Sequence, residues 1–200
     1  MKDRAVGSAV KFLTASFFTG PADEVARALL GCVVQSDCGN KRTAGRIVET
    51  EAYTGPDDSA CHAADRIGRT RRNEPLFGPP GTTYMHMNYG VHWLLNAVTG
   101  PEGFPAGVLI RALEPLEGDE AMYVRRGRDD LTNGPARLTQ ALGIGPELQG
   151  HSLDRVPLMF VVGQAVPDSA VEATSRIGIS RAVDRPLRFY DRRSPWVSKR

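Results

Sequence analysis

What most limits the fold of this chain is how often it is interrupted. Twenty-one glycines and 14 prolines are spread along its 200 residues, and few stretches exceed ten residues without one. Such spacing excludes a helical bundle and permits short strands and short helices joined by many turns. Two hundred residues fit one domain that buries roughly 70% of its unfolded surface. An apolar content of 41% excludes a disordered chain. No apolar run approaches the ~20 residues of a membrane span. The chain reads as a single mixed α/β domain.

Periodicity and punctuation place the elements. Residues 1–16 read as an arm, with the domain proper over 17–200. Gly20-Pro21 opens a helix with Asp23 and Glu24 in its first turn, and Gly31 closes it. Cys32–Gln35 and Thr43–Tyr53 read as a hairpin around Ser36–Asn40. Residues 54–82 carry no period, and a loop of that length inside a compact domain is usually functional. Thr83–Asn88 and Val91–Val98 read as a second hairpin joined at Tyr89-Gly90. Further strands are expected at Val108–Leu113, Val156–Val162, Ser175–Ile179 and Pro186–Tyr190. Helices are expected at Glu117–Arg126 and Pro135–Leu142, where Gly143 reads as a helix C-cap.

Charge and cysteine usage narrow the partners. The formal charge is only +2, but 21 of the 25 basic residues are arginine, whose planar fork suits phosphate and carboxylate. Codon drift in a GC-rich genome gives the same bias. Three cysteines without a C-x-x-C pair argue against a disulfide scaffold, a zinc site or an iron–sulfur cluster. The segment MKDRAVGSAVKFLTASFF lacks the apolar centre of a signal peptide. A reducing cytoplasm is the expected compartment.

Several residues could carry chemistry. On a strand, Glu49, Glu51 and Tyr53 share one face, with the carboxylates roughly 7 Å apart. That pair suits acid/base work on a glycosidic bond; the bland alternative is that both face water. Tyr53 ends this face just before the loop bearing His62. In the second hairpin Tyr84, His86 and Asn88 share a face, and Tyr89 at the tip is either a wedge between bases or an ordinary surface residue. Arg66, Arg69, Arg71 and Arg72, set against Asp65 and Glu74, form either a phosphate-tracking patch or a solvated face.

These stretches also carry a resemblance. They are Leu29–Gly31, Gly45–Tyr53 (GRIVETEAY) with Gly55-Pro56, His62, Arg72-Asn73, Gly81-Thr82, Tyr84, Tyr89-Gly90 and Asn96. They continue with Val108–Gly118 (VLIRALEPLEG), Gly134-Pro135, Gln140–Leu142, Pro186–Tyr190 and Ser194–Val197. In order and over residues 20–198, the chain resembles the alkyladenine DNA glycosylase family, also called 3-methyladenine or methylpurine DNA glycosylases. The resemblance implies a curved antiparallel sheet flanked by short helices, with a protruding β-hairpin that inserts into DNA. It implies action on double-stranded DNA that contains damaged purines, with neither a metal nor an organic cofactor and with nucleoid association if the source is bacterial. Nothing in the sequence demands a dimer, and a monomer is expected.

By the same resemblance Glu51 is the general base that activates a water, and Arg111 helps to hold that water and the carboxylate. Tyr53, His62 and His86 form the slot for an extruded base, Asn96 excludes the amino group of guanine, and Tyr89 fills the gap left in the duplex. Arg72 and Arg137 are implied phosphate contacts. His86 departs from the family pattern, which has tyrosine there. Two other functions stay open at this level: hydrolysis of free nucleosides through Glu49 and Glu51, and a DNA-damage binding module that excises nothing.

Overall fold

The computed structural model describes residues 11–39, 41–64 and 67–200. Asn40 of the first expected turn, and Asp65 and Arg66 of the basic patch, lie outside the described residues, as do the first ten residues of the expected arm. From Lys11 onward the chain is tied to the sheet. Leu13 donates its amide to the Phe160 carbonyl at 2.8 Å, Val162 donates to the Lys11 carbonyl at 2.8 Å, and the Leu13 side chain is buried.

The architecture is one curled antiparallel sheet with three α-helices, a mixed α/β domain. Its strands are β1 (Val33–Ser36), β2 (Thr43–Tyr53), β3 (Thr83–Asn88), β4 (His92–Thr99), β5 (Ala106–Glu117), β6 (Asp154–Arg155), β7 (Leu158–Val161), β8 (Val171–Thr174) and β9 (Arg188–Asp191). The main path runs β3-β4-β5-β2-β1-β7-β6, and β9 pairs with both β2 and β8. The helices are α1 (Ala22–Ala28), α2 (Asp119–Arg126) and α3 (Pro135–Leu142). Among the described residues no helix is long and apolar enough to cross a membrane.

β2 organises the molecule. One of its edges is covered along its length by β5. The other is shared, with β1 against residues 43–46 and β9 against residues 49–51. A strand enclosed in this way is buried almost continuously instead of in alternation. This is why neither Glu49 nor Glu51 faces water; both are fully buried. The core around β2 gathers Leu29, Leu30, Ile47, Ile110, Leu113, Met122, Leu138, Leu142 and Phe160.

Two register shifts bend the β2–β5 ladder beside these carboxylates. Ile47 faces Leu113 and Glu49 faces Ala112, so Val48 is extra on β2; Thr50 then faces Ile110, so Arg111 is extra on β5. Bulges of this kind re-aim a side chain while leaving the strand paired on either side.

Several boundaries differ from the sequence reading. The expected strand at 175–179 is irregular, and the nearest strand is Val171–Thr174. The expected strand 156–162 is the β6–β7 hairpin, with Val156-Pro157 in its turn. β5 runs on to Glu117, so α2 begins at Asp119. The loop 54–82 contains a 3-10 turn at Glu74–Phe77. It packs on its own small cluster of Cys61, Ala63, Leu76, Tyr84 and Val98. Gly55 begins this loop with φ +104, and a Cβ there would lie 2.7 Å from the Phe104 ring, so the chain reverses only with glycine.

Candidate active site

The two shifts in the ladder bring three charged side chains of β2 and β5 together. Arg111 Nε donates to Glu49 Oε1 at 3.0 Å, and its Nη1 lies 3.1 Å from Glu51 Oε1. Glu49 is further enclosed by Arg188 Nε at 2.7 Å, the Ser198 amide at 2.7 Å and the Ser198 hydroxyl at 2.9 Å. Glu51 accepts the Ile177 amide at 2.7 Å and the Tyr53 hydroxyl at 3.1 Å.

Burial raises the pKa of Glu51 above the ordinary carboxylate value; Arg111, the Ile177 amide and the Tyr53 hydroxyl oppose that rise, while Glu49 adds to it. Burial and the adjacent Glu51 together keep the Tyr53 phenol protonated well beyond its usual range.

A cavity of ≈ 420 Å³ opens beside this cluster, lined by Tyr53, His62, Tyr84, His86, Asn96 and Arg111 among others, with Ile177–Arg181 along another side. Glu51 is fully buried and is not itself a lining residue, but its partners Arg111, Tyr53 and Ile177 all line the cavity. The rings of Tyr53 and His62 are within 15° of parallel with centroids 6.4 Å apart. A planar ring held between two others needs about 7 Å. This separation is therefore close to that of a slot for one heteroaromatic ring.

The three expected slot residues come together, with His86 placed against His62 at 3.8 Å. The Tyr84 hydroxyl lies 3.3 Å from Nδ1 of both imidazoles. It carries one proton, so it donates to one ring and accepts from the other. Burial lowers the pKa of His62, helped by Arg72, and lowers that of His86 to about 3, helped by His62 and Arg72. Both imidazoles are neutral near pH 7. Asn96 also lines the cavity, its Nδ2 held by the Tyr84 carbonyl at 3.0 Å.

The remaining expected residues lie at the rim or beyond it. Tyr89 stands at the tip of the β3–β4 hairpin, 87% exposed, and also lines the mouth of the cavity. Its φ of +50 is costly for a bulky side chain. Arg72 is exposed and donates to the Met87 carbonyl at 2.7 Å, so it lies along the same hairpin. Arg137 does not line the cavity; it is paired with Asp130 at 3.3 Å and with Asn133 Oδ1 at 2.9 Å. Among the described residues no group of three or more His, Cys, Asp or Glu is arranged to hold a metal.

Sequence reasoning gave no role to Asp58, Arg176, Ile177, Arg188 or Ser198. Each acts through a partner more than 100 residues away in the chain, a separation that no local pattern reports. Arg188 lies in the quoted Pro186–Tyr190 stretch, the nearest thing to a signal.

Comparison with known proteins bears on the site as a whole. The sequence model of the methylpurine-DNA glycosylase (MPG) family matches residues 16–195. Three relatives are provisionally named 3-methyladenine DNA glycosylases. That of Salinibacter ruber is 47% identical over 199 residues, covering 93% of this chain and 96% of its own. That of Gloeobacter violaceus is 47% identical, covering 95% and 88%. That of Methanoculleus marisnigri is 45% identical, covering 94% and 99%. The matched span contains the strands, the hairpin and every cavity residue described above, and on that basis the chain belongs to the methylpurine-DNA glycosylase family.

Proposed function

We propose that this chain is a monofunctional DNA glycosylase of base excision repair. It draws an alkylated or deaminated purine out of duplex DNA and hydrolyses its N-glycosidic bond with a water activated by Glu51, leaving an abasic site. The observation that carries this reading is a fully buried carboxylate of raised pKa, tethered to Arg111, beside two near-parallel aromatic rings whose centroids are 6.4 Å apart. A base of raised pKa takes a proton more readily in the working range.

In this reading the water oxygen attacks C1′, the C1′–N bond breaks towards the base, and the water proton passes to Glu51. The anionic carboxylate also stabilises the oxocarbenium-like charge at C1′. A purine alkylated at N3 or N7 is cationic and leaves as a neutral base. Stacking against Tyr53 contributes ~0.5–2 kcal/mol to holding such a cation, and the neutral imidazoles of His62 and His86 do not repel it.

Extrusion costs a few kcal/mol, least for damaged or mispaired bases. Tyr89 fills the vacated stack, Asn96 tests the exocyclic groups of the base, and Arg72 and Arg137 contact phosphates. A Schiff-base lyase step needs an amine, and among the described residues no lysine lines the cavity. The enzyme acts as a monomer on chromosomal DNA.

Excision from labelled duplexes bearing hypoxanthine, ethenoadenine or a methylated purine tests this reading, with wild type and Glu51→Gln side by side. The expected result is base release by wild type that is lost in the variant while binding persists. Excision that survives in Glu51→Gln removes the catalytic assignment. Binding without release from any lesion points to a damage sensor, and release only from free nucleosides points to a nucleoside hydrolase.

A further inference from the structure

The cavity walls have two origins. Tyr53, Tyr84, His86, Asn96 and Arg111 are set by sheet register. His62 and Ile177 are not, because both lie in irregular segments. One buried ion pair joins those segments to each other and to β2. The side chains of Arg176 and Asp58 are both 0% exposed. Arg176 Nη1 donates to Asp58 Oδ2 at 2.5 Å and its Nη2 to Oδ1 at 2.8 Å. Nη1 also donates to the Ala52 carbonyl at 2.9 Å, and the guanidinium carbon lies 4.7 Å from the centre of the Tyr53 ring.

Asp58 in turn accepts the amides of Ala60 at 3.1 Å and Thr54 at 3.3 Å. Its carbonyl accepts the Cys61 amide at 2.8 Å, and the next residue is His62. At the other end Arg176 directly precedes Ile177, whose amide sits on Glu51.

One guanidinium therefore touches the strand end that carries Tyr53 and the loop that carries His62, and it adjoins the amide that serves Glu51. Arg176 is absent from the cavity lining while Tyr53 is present, so the guanidinium backs the ring from behind. A buried ion pair is a poor device for stability alone, since apolar side chains of the same volume usually serve as well. Among the described residues, moreover, the buried Arg176 Nε has no hydrogen-bond partner. What a two-pronged pair supplies and an apolar contact lacks is a fixed direction and distance.

We propose that the Arg176–Asp58 pair is the positioning element of the excision site, setting the separation of the Tyr53 and His62 rings and holding the Ile177 amide on Glu51. The proposal rests on the glycosylase reading for what enters the slot, but not for the geometry. Asp58 keeps the guanidinium from presenting a net positive charge behind the ring on which a cationic base stacks.

The test uses the full chain. Asp58→Asn alone leaves the buried Arg176 without its carboxylate, and Arg176→Gln alone leaves Asp58 with only the half-exposed Arg185 at 4.0 Å. The variant of choice is therefore Asp58→Asn with Arg176→Gln, checked for folding by its thermal transition. Arg176→Lys, which keeps the charge but loses the fork, is run beside it. Two measurements follow: single-turnover excision from hypoxanthine and ethenoadenine duplexes, and titration of the Glu51 carboxyl by carbon-13 NMR.

In the double variant excision is expected to slow on the order of 10- to 100-fold, with duplex affinity little changed and the ratio of the two rates altered. The Glu51 titration is expected to move to higher pH, because the Ile177 amide that lowers its pKa is withdrawn, while the Arg176 and Asp58 charges are removed together. Of its other neighbours, Arg111, Glu49 and Arg188 behind Glu49 stay in place, while the Tyr53 phenol loses the guanidinium behind its ring. Arg176→Lys is expected to shift both readouts in the same directions by less.

A Glu51 titration unchanged in either folded variant overturns the proposal, as does an unchanged excision rate and ratio. If wild type releases no base from any lesion, the glycosylase reading fails, and the Glu51 titration still decides the positioning role.

Discussion

Replacing Glu49 by glutamine removes one negative charge from the middle of the sheet without changing volume, so no cavity contributes to the outcome. Arg111 keeps Glu51 as a partner at 3.1 Å. Arg188 is worse placed: its other partners are the Thr174 hydroxyl at 3.2 Å and the Lys199 carbonyl. Neither is an anion, and the Arg188 side chain is only 6% exposed. Breaking a buried pair by removing one member costs roughly 3–5 kcal/mol. The surviving Arg111–Glu51 contact places the expected loss near the lower end, about 3 kcal/mol.

For a chain of this size about 3 kcal/mol corresponds to a fall in Tm of roughly 6–12 °C. It is also a large part of a total stability of about 5–15 kcal/mol. Urea unfolding of wild type and Glu49→Gln gives the difference directly, with an unchanged slope showing that the unfolded state is not responsible. A second readout is the pH–rate profile. Glu49 is one of the groups that raise the pKa of Glu51, so the acid limb in the variant should move to lower pH. A loss below about 1 kcal/mol, the range of exposed pairs, would show that Glu49 is not the buried anion on which Arg188 depends.

Two other substitutions probe the slot and the hairpin. Tyr89→Gly relieves a left-handed residue that costs about 1–2 kcal/mol. It should raise stability by about 1 kcal/mol while slowing excision from duplex more than from single strands; equal slowing on both would remove the wedge role. In His86→Tyr the ranking of lesions should change while the acid limb stays in place. On the proposed mechanism the limb follows Glu51, which must be unprotonated to act and whose raised pKa puts the loss of activity above the ordinary carboxylate range as pH falls. His86, with its pKa lowered to about 3, is already neutral there. A limb that moved with this substitution would show that His86 titrates in the working range.

The parts of the fold legible in the sequence are those in which neighbours along the chain are neighbours in space. The β3–β4 hairpin announces itself by alternation and by Tyr89-Gly90, and α3 by a proline at its start and a glycine after its end. The sharing of one β2 edge between β1 and β9 leaves no such trace. An enclosed strand loses its alternation, and Glu49 and Glu51 then look like surface carboxylates when they are fully buried. β5 runs through Pro115, a residue that ordinarily argues against a strand interior, so its true length was hidden. The slot residues were reachable through the resemblance; their backing by Asp58, Arg176, Arg188 and Ser198 was not, because it depends on pairings across most of the chain.

The way Glu49 is enclosed also bears on how the protein assembles. β2 emerges early in synthesis, but most of the groups that enclose its central carboxylate come last: Arg188 is 139 residues downstream and the Ser198 amide 149. Until they arrive Glu49 has Arg111 of β5 beside it but lacks its other donors, so drying the middle of the sheet is costly. Until β9 is synthesised, the second edge of β2 is also without its partner over residues 49–51. Closing contacts of such long sequence separation is slow. An unpaired central strand is also the surface at which chains aggregate, so refolding yield should fall more steeply with protein concentration than the modest size of this domain suggests.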